Sequence, residues 1–209
     1  MSKIIAIMLL LCCGMMLFGC ADDNGRRKAE QQKTIVVTDS VGRKVELPYP
    51  LERVAVCNVY NAELITAVGA IDKIVGVDNY IFKDQSGFKN RFNEAQVFGI
   101  SQNAMNYEKL AELSPQAVII TGEGTWRDAQ EMLDRFGIKV IVINSYYTDQ
   151  FADNCRLIGR IFGREEQAEE LVNYFNDKLA YIQKQLQGVP RRSLYFEYRT
   201  LGKTAVPGD

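Results

Sequence analysis

Histidine is missing from all 209 residues of this chain. Zinc and manganese sites lean on imidazole, and serine and cysteine triads use it as general base. Its absence argues against a transition-metal ion held by side chains and against the usual nucleophilic hydrolases. An excess of charge is lacking too. The 25 basic residues face 26 acidic ones for a net charge of −1, so nothing offers the basic footprint that nucleic acid needs. Cysteine is scarce beyond residue 20, where only Cys57 and Cys155 remain; one falls in a predicted strand and the other on a predicted helix, and no disulfide framework is supported. Catalytic signatures are equally thin. Gly122-Glu123-Gly124 sits between a strand and a helix as phosphate-binding glycines do. It lacks the third glycine of a dinucleotide fingerprint and the Gly-Lys-Ser/Thr of a P-loop. The adjacent Glu165-Glu166 suits a helix start better than acid–base chemistry. The chain reads as a non-enzyme, and no cofactor is implied.

What is present begins with Lys3 and an uncharged run from Ile4 to Cys20, the pattern of an export signal. Leu17-Phe18-Gly19-Cys20 resembles a bacterial lipobox, in which the peptide is cut before the cysteine and the thiol takes a diacylglycerol; Phe18 departs from the usual small residue. Residues 1–19 are therefore expected to be a signal peptide and Cys20 a lipid anchor to the outer or periplasmic face of the cell membrane. Residues 20–33, which hold no large apolar side chain after Cys20, are expected to be a tether.

From Thr34 the chain alternates strands and helices. Ile35–Val37 and Val45–Leu47 flank a turn and read as a hairpin. Predicted strands at 54–57, 74–77, 117–121 and 140–143 alternate with predicted helices at 62–68, 107–113 and 128–136, while 79–102 reads as a loop. Short apolar strands separated by helices predict an α/β fold, a parallel Rossmann-like sheet with helices on both faces. Right-handed crossovers then gather the strand-to-helix loops on one edge, where such sheets bind ligands. That edge would carry Tyr60, Asn79, Tyr80, Trp126, Arg127, Tyr146 and Tyr147, which we take as candidate ligand contacts; Lys83 is a weaker basic candidate. Aromatic rings offer broad apolar area with a polar tip. Tyr174 and Tyr181, on a long predicted helix, read as structural.

Residues 34–148 form the predicted first lobe, and 149–187 hold two helices. The second helix, from about Arg164 to Gln187, would run roughly 35 Å. Residues 188–209 then open a fresh strand, Ser193–Tyr198, as though a second lobe were beginning and mostly missing.

Several segments together resemble the periplasmic-binding-protein family that serves ABC importers of iron-siderophores, haem and cobalamin. They are Thr38-Asp39-Ser40-Val41-Gly42-Arg43-Lys44-Val45-Glu46-Leu47-Pro48 with Arg53-Val54; Glu63-Leu64-Ile65, Val68-Gly69-Ala70 and Asp72-Lys73-Ile74-Val75-Gly76-Val77; and Asn106-Tyr107-Glu108-Lys109-Leu110, Leu113, Pro115 and Ala117-Val118-Ile119-Ile120. The resemblance implies two α/β lobes joined by one rigid connector helix, with a ligand in the cleft. It also implies a carboxylate, here Glu108, that docks onto permease arginines. Tyr80 falls where cobalamin binders place a tyrosine, whereas Gln102 and Thr121 stand where they carry tryptophans. The expected partners are an iron chelate, haem or corrinoid, the permease subunits, and the membrane through Cys20. The rival readings are a sensory or scaffolding lipoprotein using the same lobe, and a small hydrolase.

Overall fold

Alternation inside very short strands decides the architecture. The computed structural model describes residues 33–190 and Ser193. Strands β1 (Thr34–Thr38) and β2 (Lys44–Pro48) pair antiparallel, with Thr34 opposite Pro48 and Thr38 opposite Lys44. Five more strands follow: β3 (Val54–Val56), β4 (Ile74–Asp78), β5 (Val97–Gly99), β6 (Ala117–Ile120) and β7 (Lys139–Val142). They form one all-parallel sheet in the order β5-β4-β3-β6-β7. Between them run α1 (Val59–Ala67), α2 (Asn79–Lys83), α3 (Tyr107–Glu112) and α4 (Trp126–Asp134), and after them α5 (Phe151–Phe162) and α6 (Glu165–Gln185).

Successive strand residues point to opposite faces, and both faces are apolar. Val54, Val56, Ala117, Ile119, Ile141 and Ile143 pack with α1, α5 and α6. Ala55, Cys57, Val118, Ile120, Val140 and Val142 pack with Leu110 of α3 and Ala129 and Leu133 of α4. Helices therefore cover both faces, as the pattern predicts. Cys57 and Cys155 are both buried and free, and the alternation explains why: they belong to cores on opposite sides of the sheet. Burial pushes both thiols up, Cys155 to about 11, which leaves little thiolate at neutral pH.

Both outer strands have their open sides covered, which matters because a bare edge recruits other chains. On β7 the hairpin turn does this. Ser40 N donates to Val142 O (2.9 Å), Val142 N donates to the Asp39 carboxylate (3.3 Å), and the Arg43 guanidinium donates to Val140 O (3.0 Å). Asp39 is held in turn by Arg43 at 2.6 Å and by the N–H groups of Val41 and Arg43. On β5 the following turn folds back, with Asn106 N donating to Phe98 O (2.8 Å). Gly99 is needed there, since a Cβ would lie 2.5 Å from Ala104 O.

Several sequence expectations need correction. The stretch 79–102, read as a loop, contains α2, a 3-10 turn at Glu94–Gln96 and β5. These pieces are three to five residues long, too short for a hydrophobic period to register. Helices α1 and α4 begin at Val59 and Trp126, not at 62 and 128, so Tyr60, Asn79, Tyr80, Trp126 and Arg127 stand in first helical turns and not in loops. The caps responsible for two of these starts, Asn58 and Asp78, accept from Tyr60 N (2.9 Å) and Ile81 N (3.0 Å). The predicted signal, Cys20, the tether apart from Lys33 and, apart from Ser193, the predicted strand from Ser193 lie outside the described residues.

The long predicted helix is α6, 21 residues or about 31 Å. Only its first half touches the body. Ala168 and Val172 are buried and Phe175 stacks on Phe151 with ring centroids 4.1 Å apart, whereas Leu179, Ile182 and Leu186 are exposed. The solvent-screened pair Arg156–Glu169 adds little. Close approach of α5 and α6 depends on Gly159, where a Cβ would fall 2.5 Å from the Ala168 Cβ and 2.9 Å from Arg164 O.

Gly159→Ala sets two effects against each other. Helix propensity favours alanine by about 1 kcal/mol, while overpacking costs about 1–3 kcal/mol. The clash includes backbone and should win, lowering the urea midpoint by the equivalent of about 1–2 kcal/mol, with Ala168→Gly in the same chain recovering part of the loss. An alanine variant as stable as the parent would show that the two helices separate freely.

Candidate functional site

Because every strand of the five-stranded sheet points the same way, the first turns of α1, α2, α3 and α4 all open on one edge. The chain leaves β3 toward β4 and β5 on one side, and later continues from β6 to β7 on the other. The loops after β3 and β6 therefore diverge, and a crevice opens between them, the usual ligand position in such sheets.

That edge is built from polar side chains that hold loops in place. Asp78, at the end of β4, accepts from Asn58 N (3.0 Å) through one oxygen and from Ile81 N (3.0 Å) through the other, tying the β3 exit to α2. Burial raises its carboxyl above the usual carboxylate range, and these N–H donors work the other way. Asn58 is held at φ +78°, ψ 126°, a backbone state that side chains other than glycine rarely adopt. Asn61, fully buried, donates to Cys57 O (3.3 Å) and accepts from Ser145 Oγ (2.6 Å).

A second set of bonds joins the β6 and β7 loops. The Asn144 carbonyl oxygen accepts from Asn154 Nδ2 (3.0 Å), while its side chain accepts from Gly122 N (2.7 Å). Gln102 Oε1 accepts from Thr121 N (2.9 Å) and Thr121 Oγ1 (2.8 Å), and its amide nitrogen donates to Glu123 O. Thr121 is buried in that contact. Among the described residues no buried side-chain nitrogen or oxygen is left without a partner.

The candidate residues are spread along this scaffold. Tyr60 is 54% exposed and lines a depression of about 300 Å³ with Leu64, Ser145, Phe151 and Leu171. Asn79 and Lys83 line another of about 590 Å³ with Ile100, Asn106 and Lys109, and Tyr80 stands nearby on the same short helix, 63% exposed. The guanidinium groups of Arg43 and Arg127 each lie over the Trp126 ring, 4.3 Å and 4.2 Å from its centre, and with it they line a groove of about 470 Å³ along α4. Such stacking gives each contact about 0.5–2 kcal/mol. Tyr146 and Tyr147 are brought together, ring centres 4.3 Å apart, and Tyr146 Oη donates to Glu123 Oε1 (3.0 Å). Glu108 is exposed in the first turn of α3, whose cap Asn106 accepts from Lys109 N (2.9 Å). Thus Tyr146–Tyr147 and Trp126–Arg127 form contacting pairs, while Tyr60 and Asn79 line separate depressions.

Sequence reading gave Asp78, Asn144, Asn154, Glu123 and Gln102 no positioning role. Asp78 carried a usable signal, a cap residue directly after an apolar strand. The others act across 10 to 23 residues of chain, and nothing local marks them.

A family model described as "Periplasmic binding protein" matches residues 54–209. No curated protein matches. Among solved structures, the periplasmic solute binding protein of Veillonella parvula superposes with a TM-score of 0.64 at 28% identity, covering 76% of this chain and 50% of that one. SirA of Staphylococcus aureus, complexed with staphyloferrin B, gives 0.60 at 20% identity, covering 74% of this chain and 51% of its own. The vitamin B12 binding protein BtuF of Vibrio cholerae gives 0.54 at 21%, covering 68% of this chain and 53% of its own. The last two likenesses bear on fold alone. The chain spans about half the length of these structures.

The strained cap offers a test. Asn58→Gly keeps a residue at ease at positive φ and should change stability by a few tenths of a kcal/mol. Asn58→Ala loses both the cap and the tolerance and should cost about 2 kcal/mol in chemical denaturation. Equal losses in the two variants would show that the backbone at this position is under no constraint.

Proposed function

The chain belongs to the periplasmic binding protein family, and from that premise we propose that it is the extracytoplasmic solute-binding component of an ABC importer. It captures an iron chelate, haem or corrinoid at the carboxyl edge of its sheet and hands it to a membrane permease. The observation that carries this reading is the crevice edge itself. It sits at the divergence of β3 and β6 and bears large side chains held out from the body, Tyr60 at 54%, Tyr80 at 63% and Tyr147 at 43% exposure. Single exposed aromatics are ordinary, but several on one ligand-binding edge suit a broad, partly apolar ligand. Relatives in fold point to the same ligand class, one having been solved with staphyloferrin B and another being a vitamin B12 binder.

In this reading Tyr60, Asn79, Tyr80, Trp126, Arg127, Tyr146 and Tyr147 contact the ligand, Arg127 meeting any carboxylate the chelate offers. Cys20 carries the lipid that keeps the protein at the membrane. Helix α6 connects this lobe to a second one. The protein binds and releases, and the importer's separate ATPase drives transport.

Titration of the purified chain with ferric siderophores, haemin and cyanocobalamin should give saturable quenching of Trp126, the sole tryptophan, with at least one of them. Absence of saturable binding to all three, both by fluorescence and by equilibrium dialysis, would remove the proposed ligand class.

Docking is tested separately with Glu108→Arg. Ligand affinity should stay unchanged, while association with permease-containing vesicles slows about tenfold at low salt, as expected when a rim charge that steers encounter is reversed. An unaltered association rate would exclude Glu108 from the permease contact.

A further inference from the structure

The outer strand β5 is flanked by two amines that come from opposite faces of the sheet. Helix α2 buries Ile81 in the core on one face and α3 buries Leu110 in the core on the other. Yet Lys83 of α2 and Lys109 of α3 both line the groove of about 590 Å³ along β5. Among the described residues neither lysine forms an ion pair. Lys109 Nζ donates to Glu94 O (3.2 Å), a neutral acceptor that fixes the ammonium without cancelling its charge. No carboxylate lines this groove. Asp84 is turned into its own loop, accepting from Ser86 Oγ (2.6 Å) and Gly87 N (3.0 Å), and neither Glu94 nor Glu108 belongs to the walls. The groove along α4, by contrast, sets Glu131 and Asp134 beside Arg43 and Arg127. Ile100, which follows β5 directly and also lines the β5 groove, is 64% exposed.

We propose that this flank rests on anionic phospholipid headgroups, so that the lobe lies against the membrane surface and does not hang free on its tether. Such contact rests on the Cys20 anchorage in the reading above. The charge is supplied by lysine, a compact point charge suited to a layer of phosphates; recognition of a single carboxylate favours the planar fork of arginine. The apolar element projects from the surface. A protruding isoleucine beside two amines can enter the headgroup boundary, as the apolar side of membrane-surface elements does, whereas protein partners are met chiefly by tryptophan, tyrosine or arginine anchors in well-packed pockets. Proximity comes from the tether. Residues 21–33, even fully extended, reach no more than about 45 Å, which keeps the lobe at a millimolar effective concentration over the bilayer. Each lysine near an anionic surface favours contact roughly fivefold. That is too little to recruit a free protein and enough to orient one already held there. Orientation is the functional gain. Glu108 stands one residue before Lys109 on α3, so a lobe held by this flank keeps its proposed docking carboxylate near the membrane plane in which a permease lies.

The test uses the full chain reconstituted in vesicles of phosphatidylcholine alone or of an equal mixture with phosphatidylglycerol. Trp126→Phe removes the sole tryptophan, and Ile100→Trp places a reporter in the groove. Brominated acyl chains, which quench tryptophan on contact, should quench this reporter in the mixed vesicles and not in phosphatidylcholine alone, and high salt should reverse the effect. The contact equilibrium should fall roughly fivefold in Lys83→Gln and in Lys109→Gln, and roughly 25-fold when both are combined. Lys184→Gln, on the exposed end of α6, should leave it unchanged, and far-UV circular dichroism verifies the fold of each variant. Equal quenching in both vesicles, quenching that survives the double variant, or none in either overturns the proposal. If quenching is absent while the double variant slows association with permease-containing vesicles of phosphatidylcholine, the groove belongs to a protein partner and the lipid assignment falls. Flotation of the parent chain with phosphatidylcholine vesicles checks the anchorage, and a chain that does not float with them loses this contact as well. Neither ligand nor permease enters the quenching measurement. Quenching without any ligand bound in the fluorescence titration of the parent chain leaves the membrane contact standing without the transport reading, and ligand binding without quenching does the reverse.

Discussion

A sheet buried on both faces has room for polar chemistry only at its ends. That constraint organises this molecule. Every residue of β3 and β6 is buried, and a polar side chain inserted there would face hydrocarbon on either side. Polar side chains are consequently displaced to the carboxyl edge, where N–H groups of starting helices and carbonyls of ending strands need partners. Asp78, Asn61 and Asn154, three of the few buried polar residues, serve that need, and buried Thr121 bonds the Gln102 side chain.

The edge is first a scaffold that fixes the loops bearing the proposed ligand contacts. Asp78 holds Asn58, Gln102 holds Thr121 and Glu123, and Asn144 holds Gly122; above them stand Tyr60, Tyr80, Tyr146 and Tyr147. Rigid support of this kind limits the ordering cost of binding, because loops already fixed lose little freedom when a ligand arrives. The hairpin does comparable work on the flank. Asp39 and Arg43 close the edge of β7, and the same arginine stacks on Trp126. One guanidinium thus serves both sheet protection and the groove along α4.

Helix α6 behaves as two pieces. Its first turns are clamped to α5 through Gly159, Ala168 and the Phe151–Phe175 stack, while its last turns carry Leu179, Ile182 and Leu186 in solvent. A helix anchored at one end and continuous through 21 residues transmits the orientation of this lobe stiffly, since bending it would break backbone bonds that a loop hinge does not have.

Much of the fold was legible in the residues alone. The apolar runs 54–57, 117–121 and 140–143, separated by helical periods, were enough for a parallel sheet covered on both faces, because both secondary-structure periods are local properties of the chain. The order Asn-Tyr-Glu-Lys and its companions pointed to the family for a similar reason. The elements of 79–102 were illegible because each is too short to display the period of its pattern. The site divided the same way. Which aromatics reach the edge followed from strand order, but which of them touch did not. The contact of Tyr146 with Glu123, the stacking of Arg43 on Trp126 and the clasp of Asn144 on Gly122 join residues 22 to 83 positions apart, and such pairings exist only once the sheet has set the distance between its loops.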